Sequence, residues 1–356
     1  MALKNRESPD MDRLVSDCRA LAAEIREAVL PHIGTHGARA TVGTAVGGDA
    51  TMAIDAVAEG VVRRFFEESG RYSIYTEDAG LVKATSAEAV LLIDPIDGTR
   101  PAAAGFESAC VSVAATRQTE FPTMADLDVG VVVEIKSGTT FVATAAGDIS
   151  ISKADGTIVQ PSPSTETDLE RIFWAGGFRG RPYLPVAAAV AALADPCSLG
   201  GSTFDLGSAS YIMTRLITGQ LDAYVDPGLR LVEEYPELEA DFLRVGRGSI
   251  VCNAPYDIAA AYLCCLNAGV ITTDAWGRSL AERHLLGSGR EYQLSVVAAG
   301  NAELHAALIE VLGRSIRGME TVINALVAFG KEVVGPLTRT GGGTEGTGQD
   351  IGPQPS

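Results

Sequence analysis

Leu91-Leu-Ile-Asp94-Pro-Ile-Asp97-Gly-Thr-Arg100 decides the reading of this chain. The apolar run Val90–Ile93 has the pattern of a buried strand. It ends in two aspartates three positions apart, with Pro95 between them. Proline cannot donate to a ladder, so the strand is expected to stop there. Asp94, Asp97 and the Ile96 carbonyl then offer the hard oxygen ligands that Mg²⁺ prefers. The Gly98 and Thr99 amides follow, where a phosphate could dock, and Pro101 suits the first turn of a helix whose N-terminus attracts anions. A plainer reading exists, because Asp-Pro and Asp-Gly are common turn dipeptides whose carboxylates only cap and solvate. The rest of the chain decides between the two.

With 356 residues, the chain exceeds one small domain and supports a large core or two modest ones. A formal net charge of −17, from 28 basic and 45 acidic residues, argues against a nucleic-acid partner. It leaves a phosphorylated metabolite open, because bound divalent cations invert the local sign. No apolar run reaches the roughly 18 residues of a membrane span, and Met1–Asp10 lacks a secretory apolar region. The six cysteines, without C-x-x-C spacing, read as reduced core thiols of a cytoplasmic protein. The four histidines show no partner spacing and are expected at helix ends or on the surface.

Leu14, Cys18, Leu21, Ile25 and Val29 form one apolar stripe, which predicts a helix over 11–30. A second helix is expected over 51–68, with Asp55 and Glu59 sharing a face. Tyr72–Tyr75 reads as a short strand. Segments 108–116, 127–136 and 139–145 read as consecutive antiparallel strands, with a hairpin turn at Ser137-Gly138. Beyond 150, strands are expected at 171–177, 221–225, 270–273 and 294–299. Helices are expected at 183–194, 207–218, 257–268 and 301–313. Residues 228–250 show no period and read as an irregular insertion, and the Gly/Thr/Gln/Pro-rich tail 341–356 reads as disordered. Helices alternating with mixed sheets predict α/β or α+β layering.

Asp55, Glu77, Asp94, Asp97 and Asp257 all stand at element ends, where scattered acids ordinarily cap helices. As an ordered set they point elsewhere. Asp94-Pro-Ile-Asp-Gly-Thr99, preceded by Thr76-Glu77-Asp78 and followed by Asn253-Ala-Pro-Tyr256-Asp257-Ile-Ala-Ala-Ala, resembles the motif series of the inositol monophosphatase superfamily. The segment Gly43–Glu59, with Asp49-Ala-Thr51 and Asp55-Ala-Val-Ala-Glu59, and the C-terminal Val296-Val-Ala-Ala-Gly-Asn301 with Leu304-His305, extend the resemblance over residues 11–313. That superfamily of Mg²⁺-dependent, often lithium-sensitive phosphatases includes fructose-1,6-bisphosphatases and nucleotide 3′-phosphatases.

The resemblance implies an α-β-α-β-α sandwich: an N-terminal half over 11–150, a C-terminal half over 151–313 and an extra helix over 314–340. It implies a soluble, cytoplasmic homodimer that hydrolyses a small phosphorylated polyol, cyclitol or sugar with two or three Mg²⁺ ions. Glu77, Asp94 and the Ile96 carbonyl would hold one ion. Asp94, Asp97 and Asp257 would hold the second, and a third, weaker ion would sit near Glu77. Asp55 and Thr99 would orient the attacking water, and the Gly98 and Thr99 amides would hold the phosphate. Asp97, Ser208, Ala209 and Asp226 would face the substrate, with Asp226 accepting bonds from sugar hydroxyls. A bisphosphatase or nucleotide 3′-phosphatase of the same chemistry is the second reading, and a non-catalytic binding member the third. The presence of all five acids disfavours the third.

The departures are specific. Thr76 and Asp78 replace Gly and Glu, Tyr256 replaces Trp, and Arg100-Pro-Ala-Ala-Ala-Gly105 stands where the family commonly has Asn and an aromatic residue. The stretch between Asp226 and Asp257 is longer than in compact members. It carries Arg230, Arg244 and Arg247, which are expected to solvate a loop and would favour a bisphosphate if they instead folded into the pocket.

Overall fold

The computed structural model describes residues 9–44 and 50–319, together with 322, 323 and 325. The expected disordered tail, most of the expected 314–340 helix, and Asp49 lie outside these residues.

Helix α1 (Pro9–Val29) buries the stripe Leu14, Cys18, Leu21, Ile25 and Val29. A two-stranded ribbon, β1 (Thr41–Thr44) with β2 (Ala50–Met52), leads into α2 (Ala53–Ser69), which ends at Gly70. Next come β3 (Tyr72–Thr76), β4 (Gly80–Val82), β5 (Ala89–Asp97), the short helix α3 (Thr99–Ala104), β6 (Cys110–Thr116), β7 (Val129–Glu134), β8 (Thr140–Thr144), β9 (Ile149–Ser152) and β10 (Ile158–Val159). These strands form one sheet of eight in the order β10-β9-β8-β7-β6-β5-β3-β4. Only β3 and β5 pair in parallel.

The second half comprises β11 (Phe173–Gly176), α4 (Tyr183–Ala194), α5 (Cys197–Gly200), β12 (Ser202–Phe204), α6 (Ala209–Ile217), β13 (Ala223–Asp226), α7 (Gly228–Glu234), α8 (Glu239–Val245), α9 (Pro255–Ala268), β14 (Ile271–Thr273), β15 (Val296–Ala299) and α10 (Ala302–Arg317). Its sheet of five runs β12-β11-β13-β15-β14.

Strand alternation sorts the side chains into layers. Leu91, Ile93, Val111, Val113 and Val131 pack outward with α1 and α2. Leu92, Cys110, Ala114 and Val132 face inward, where α6 and α9 lie between the two sheets with Tyr224 and Ala298 of the second. Trp174, Val225 and Val297 pack on the far side with α4, α7, α8 and α10. The layering is therefore the expected α-β-α-β-α sandwich. Gly130 shows how tightly α9 sits on β7: a Cβ there would meet the Ala260 carbonyl oxygen at 2.6 Å.

Two expectations are corrected. Pro95 does not end its strand, because β5 continues to Asp97. Asp94 pairs with Ser112 and Asp97 with Cys110, so three steps on β5 match two on β6, and Pro95 sits in a bulge where no ladder donor is needed. Residues 228–250 are not irregular. They form α7 and α8, and Leu229, Leu231, Val232, Leu238 and Phe242 complete the outer core.

The candidate active site

The bulge explains why two aspartates three apart serve one site. In a regular strand, residues i and i+3 point to opposite faces. The extra residue restores parity, so Asp94 and Asp97 both turn inward, while Ile96 packs into the outer core. Gly98, at φ +96°, then turns the chain into α3. A Cβ at this position would stand 2.5 Å from the Ser108 carbonyl oxygen. From the facing layer, α9 brings Asp257 in its first turn, and the start of α6 brings Ser208 and Ser210.

Glu77, Asp94, Ile96, Asp97, Gly98, Thr99, Ser208, Ala209 and Asp257 line one cavity. Asp94, Asp97 and Asp257 each give one oxygen to a protein donor. Asp94 Oδ1 accepts from the Ile96 amide at 3.0 Å, and Asp257 Oδ2 accepts from the Ala254 amide at 2.6 Å. Asp97 Oδ2 accepts from Ser208 Oγ at 2.8 Å and from the Ser210 amide at 2.6 Å. Ser210 Oγ donates to the Asp257 carbonyl at 2.7 Å, which ties the two helix starts together. Thr99 Oγ1 donates to the Ile96 carbonyl at 3.1 Å. Asp55 is not among the residues lining the cavity. Its Oδ2 accepts from the Met52 amide at 2.7 Å, and its charge acts on Asp94.

Burial is the main cause that pushes the Asp94 carboxyl well above the usual range, followed by the charges of Asp97, Asp257, Glu77 and Asp55. Burial raises Asp257 to about 7, with Asp97 adding to it. Burial likewise raises Asp97 to about 6, against the lowering effect of the serine bonds and of Arg179. Such a cluster demands positive charge. Among the described residues, no three His, Cys, Asp or Glu side chains are already gathered as a coordination shell. The backbone nonetheless groups two buried carboxylates, the half-buried Asp257 and a carbonyl at one cavity, a hard-oxygen donor set that fits a hard divalent cation.

Asp226 departs from its expected role. It is fully buried and is not among the lining residues. Its oxygens are occupied by an ion pair with Arg181 and by bonds from Asn253 Nδ2 at 2.7 Å and the Gly228 amide at 3.0 Å. The cavity wall here is made instead by Arg179, Arg181, Tyr224 and Asn253. Sequence reading missed Arg179 and Arg181. Their signal was Gly176-Gly-Phe-Arg179-Gly-Arg181, a glycine-rich turn that carries two arginines between a strand and a helix. The arginines of the 228–250 stretch are not among the lining residues. Arg230 is buried and donates to Glu234 and to the Ala275 carbonyl, both at 2.7 Å, and Arg244 pairs with Asp241.

The layered sandwich thus sets an acid-lined cavity where β5, α6 and α9 meet, and its family gives it the class of phosphoric monoester hydrolases. The family model described as the inositol monophosphatase family matches residues 11–317, and the chain belongs to this family. The fructose-1,6-bisphosphatase/inositol-1-monophosphatase of Methanothermobacter thermautotrophicus is 26% identical over 305 residues, covering 82% of this chain and 94% of its own. The inositol monophosphatase structure from Thermotoga maritima superposes with a TM-score of 0.60 at 18% identity, covering 86% of this chain and 99% of its own. The inositol monophosphatase structure from Anabaena gives 0.58 at 18% identity, with 86% and 97% covered.

Proposed function

We propose that the chain hydrolyses a small phosphorylated polyol, cyclitol or sugar to the free alcohol and inorganic phosphate, with Mg²⁺ as its metal. The observation that carries this reading is the group of three carboxylates, Asp94 and Asp97 buried and Asp257 half-buried, all raised, at one cavity beside Thr99. Glu77, Asp94, Asp97, Asp257 and the Ile96 carbonyl would hold the metal. When bound, it would neutralise the phosphoryl oxygens and lower the pKa of the attacking water.

The chain's own residues do the rest. Asp94 would belong to both proposed ligand sets, one with Glu77 and the Ile96 carbonyl and one with Asp97 and Asp257. Ser208 and Ser210 fix Asp97, and Asp55 with Thr99 orients the water for attack in line with the leaving oxygen. The water's oxygen bonds to phosphorus as the bond to the substrate oxygen breaks. Such a loose transition state needs positioning and charge neutralisation more than a covalent nucleophile. The family also carries a homodimer and a cytoplasmic location into the proposal. Among the described residues, no helix is long and apolar enough to cross a membrane.

The test is phosphate release from a panel of phosphorylated polyols, cyclitols and sugars, with and without Mg²⁺. The reading expects Mg²⁺-dependent release from at least one of them. Release that is indifferent to metal and to chelator would overturn it.

A further inference from the structure

Five acids line the catalytic cavity, and four of them, Glu77, Asp94, Asp97 and Asp257, are the proposed metal ligands. The fifth is Asp205, which sequence reading did not single out. It follows β12 and stands three residues before Ser208, the N-cap of α6, whose Oγ holds Asp97 at 2.8 Å. Unlike the buried Asp94 and Asp97, Asp205 is exposed, and it borders both the cavity and a wider groove beside α3. It therefore stands at the cavity mouth, where the alcohol part of a phosphate ester would lie. Its position is fixed by its neighbours. Gly207 turns at φ +69°, and a Cβ there would meet Pro101 Cγ at 3.0 Å, so this connection rests on the helix that carries Thr99. The Gly207 amide in turn bonds to the Asp205 carboxylate.

Charge decides what a group at this place can hold. Asp226, the acid expected to meet substrate hydroxyls, is buried in its ion pair with Arg181 and does not line the cavity. A second phosphate would be repelled by the Asp205 carboxylate. An ammonium would meet the positive charges of Arg181 and Arg179, both of which act on Asp205. Hydroxyl groups escape both penalties, because they are neutral donors and an ionised carboxylate is an acceptor on both oxygens. Building on the phosphatase reading above, we propose that Asp205, in place of Asp226, selects the leaving group by accepting hydrogen bonds from its hydroxyls. The contact is made to the alcohol part and to no reacting atom. It is present in the ground state and the transition state alike, so its energy enters KM and leaves kcat nearly unchanged.

The experiment measures kcat and KM for inositol 1-phosphate, glucitol 6-phosphate and the monodeoxy analogues of each. It uses the wild type, Asp205→Ala and Asp205→Asn, with each variant's thermal midpoint confirming its fold. The wild type is expected to lose about tenfold in kcat/KM on at least one monodeoxy analogue, the scale of one hydrogen bond to a charged group. Asp205→Ala is expected to lose that factor on the parent ester through KM, and to treat parent and analogue alike. Asp205→Asn, whose amide oxygen still accepts, should keep part of the difference. A merely structural role would not erase the gap between parent and analogue. A wild type that handles every analogue like its parent, or a folded Asp205→Ala that keeps the full penalty, would overturn the contact while leaving the phosphatase reading standing. Should neither ester be hydrolysed with Mg²⁺, calorimetric binding of the same two esters decides the contact, and the wider panel above decides the phosphatase reading. A Kd weakened about tenfold in Asp205→Ala supports the contact; an unchanged Kd, or no binding to the wild type, removes it.

Discussion

At the scale of single residues, function rests on carboxylates kept in an unfavourable place. Asp94 and Asp97 are buried, Asp257 is half-buried, and all three are raised together, a state that costs stability until a cation arrives. Beside them, Thr99 and Asp55 are assigned to the water. Thr99→Ala should lower kcat by roughly 10²-fold or more with little change in KM, because orienting a nucleophile is worth about that much and contributes nothing to ground-state grip. Asp55→Asn should behave likewise, and the double variant should be little worse than either single one. Steady-state kinetics of the three variants checks this, and additive losses would separate the two residues. The proposed metal ligands could be named from the sequence only through the ordered motif series that resembles a known family, since single acids at element ends read as caps. Asp226 was misread because sequence does not show that an arginine 45 positions away would claim it.

Among the elements, the β5 bulge and the neighbouring turns set the geometry. Gly98→Ala should disable the enzyme and lower its thermal midpoint, since a Cβ would press on the Ser108 carbonyl at a φ that favours glycine. A variant with wild-type turnover would show that the turn tolerates displacement. Asp226→Ala should cost about 3–5 kcal/mol in urea unfolding, because it strands the buried Arg181 guanidinium. A loss below about 1 kcal/mol would mean that the ion pair is not structural. Periodicity disclosed α1, α2, α9 and the β6–β8 meander, where apolar spacing is regular. It failed at Pro95, whose local rule stops a strand but whose bulged tertiary pairing continues it. It failed again over 228–250, whose two short helices are shaped by packing on the second sheet rather than by their own pattern.

For the whole molecule, the accumulated carboxylates link stability to pH and to metal. Asp97 and Asp257 have folded pKa values of about 6 and about 7, above the unfolded value near 3.9. The folded state therefore binds more protons between these limits, and metal-free stability falls as pH rises from about 4 to 8. Thermal melts in chelator should show the midpoint dropping across that window, and Mg²⁺ should restore it at the alkaline end. A midpoint that rises with pH through this window would contradict the buried-cluster account. The central claim is that the Asp94 cluster holds the metal that makes the chain a phosphatase. The most direct measurement is a Mg²⁺ titration of wild type and Asp94→Asn, reading phosphate release and thermal midpoint together. The account predicts that Mg²⁺ raises both in the wild type. In the variant it predicts a metal-free midpoint at or above the wild type's, because a buried charge is gone, with no Mg²⁺ response and less than about a tenth of the turnover. An Asp94→Asn protein that keeps Mg²⁺-dependent turnover near the wild-type level would contradict it.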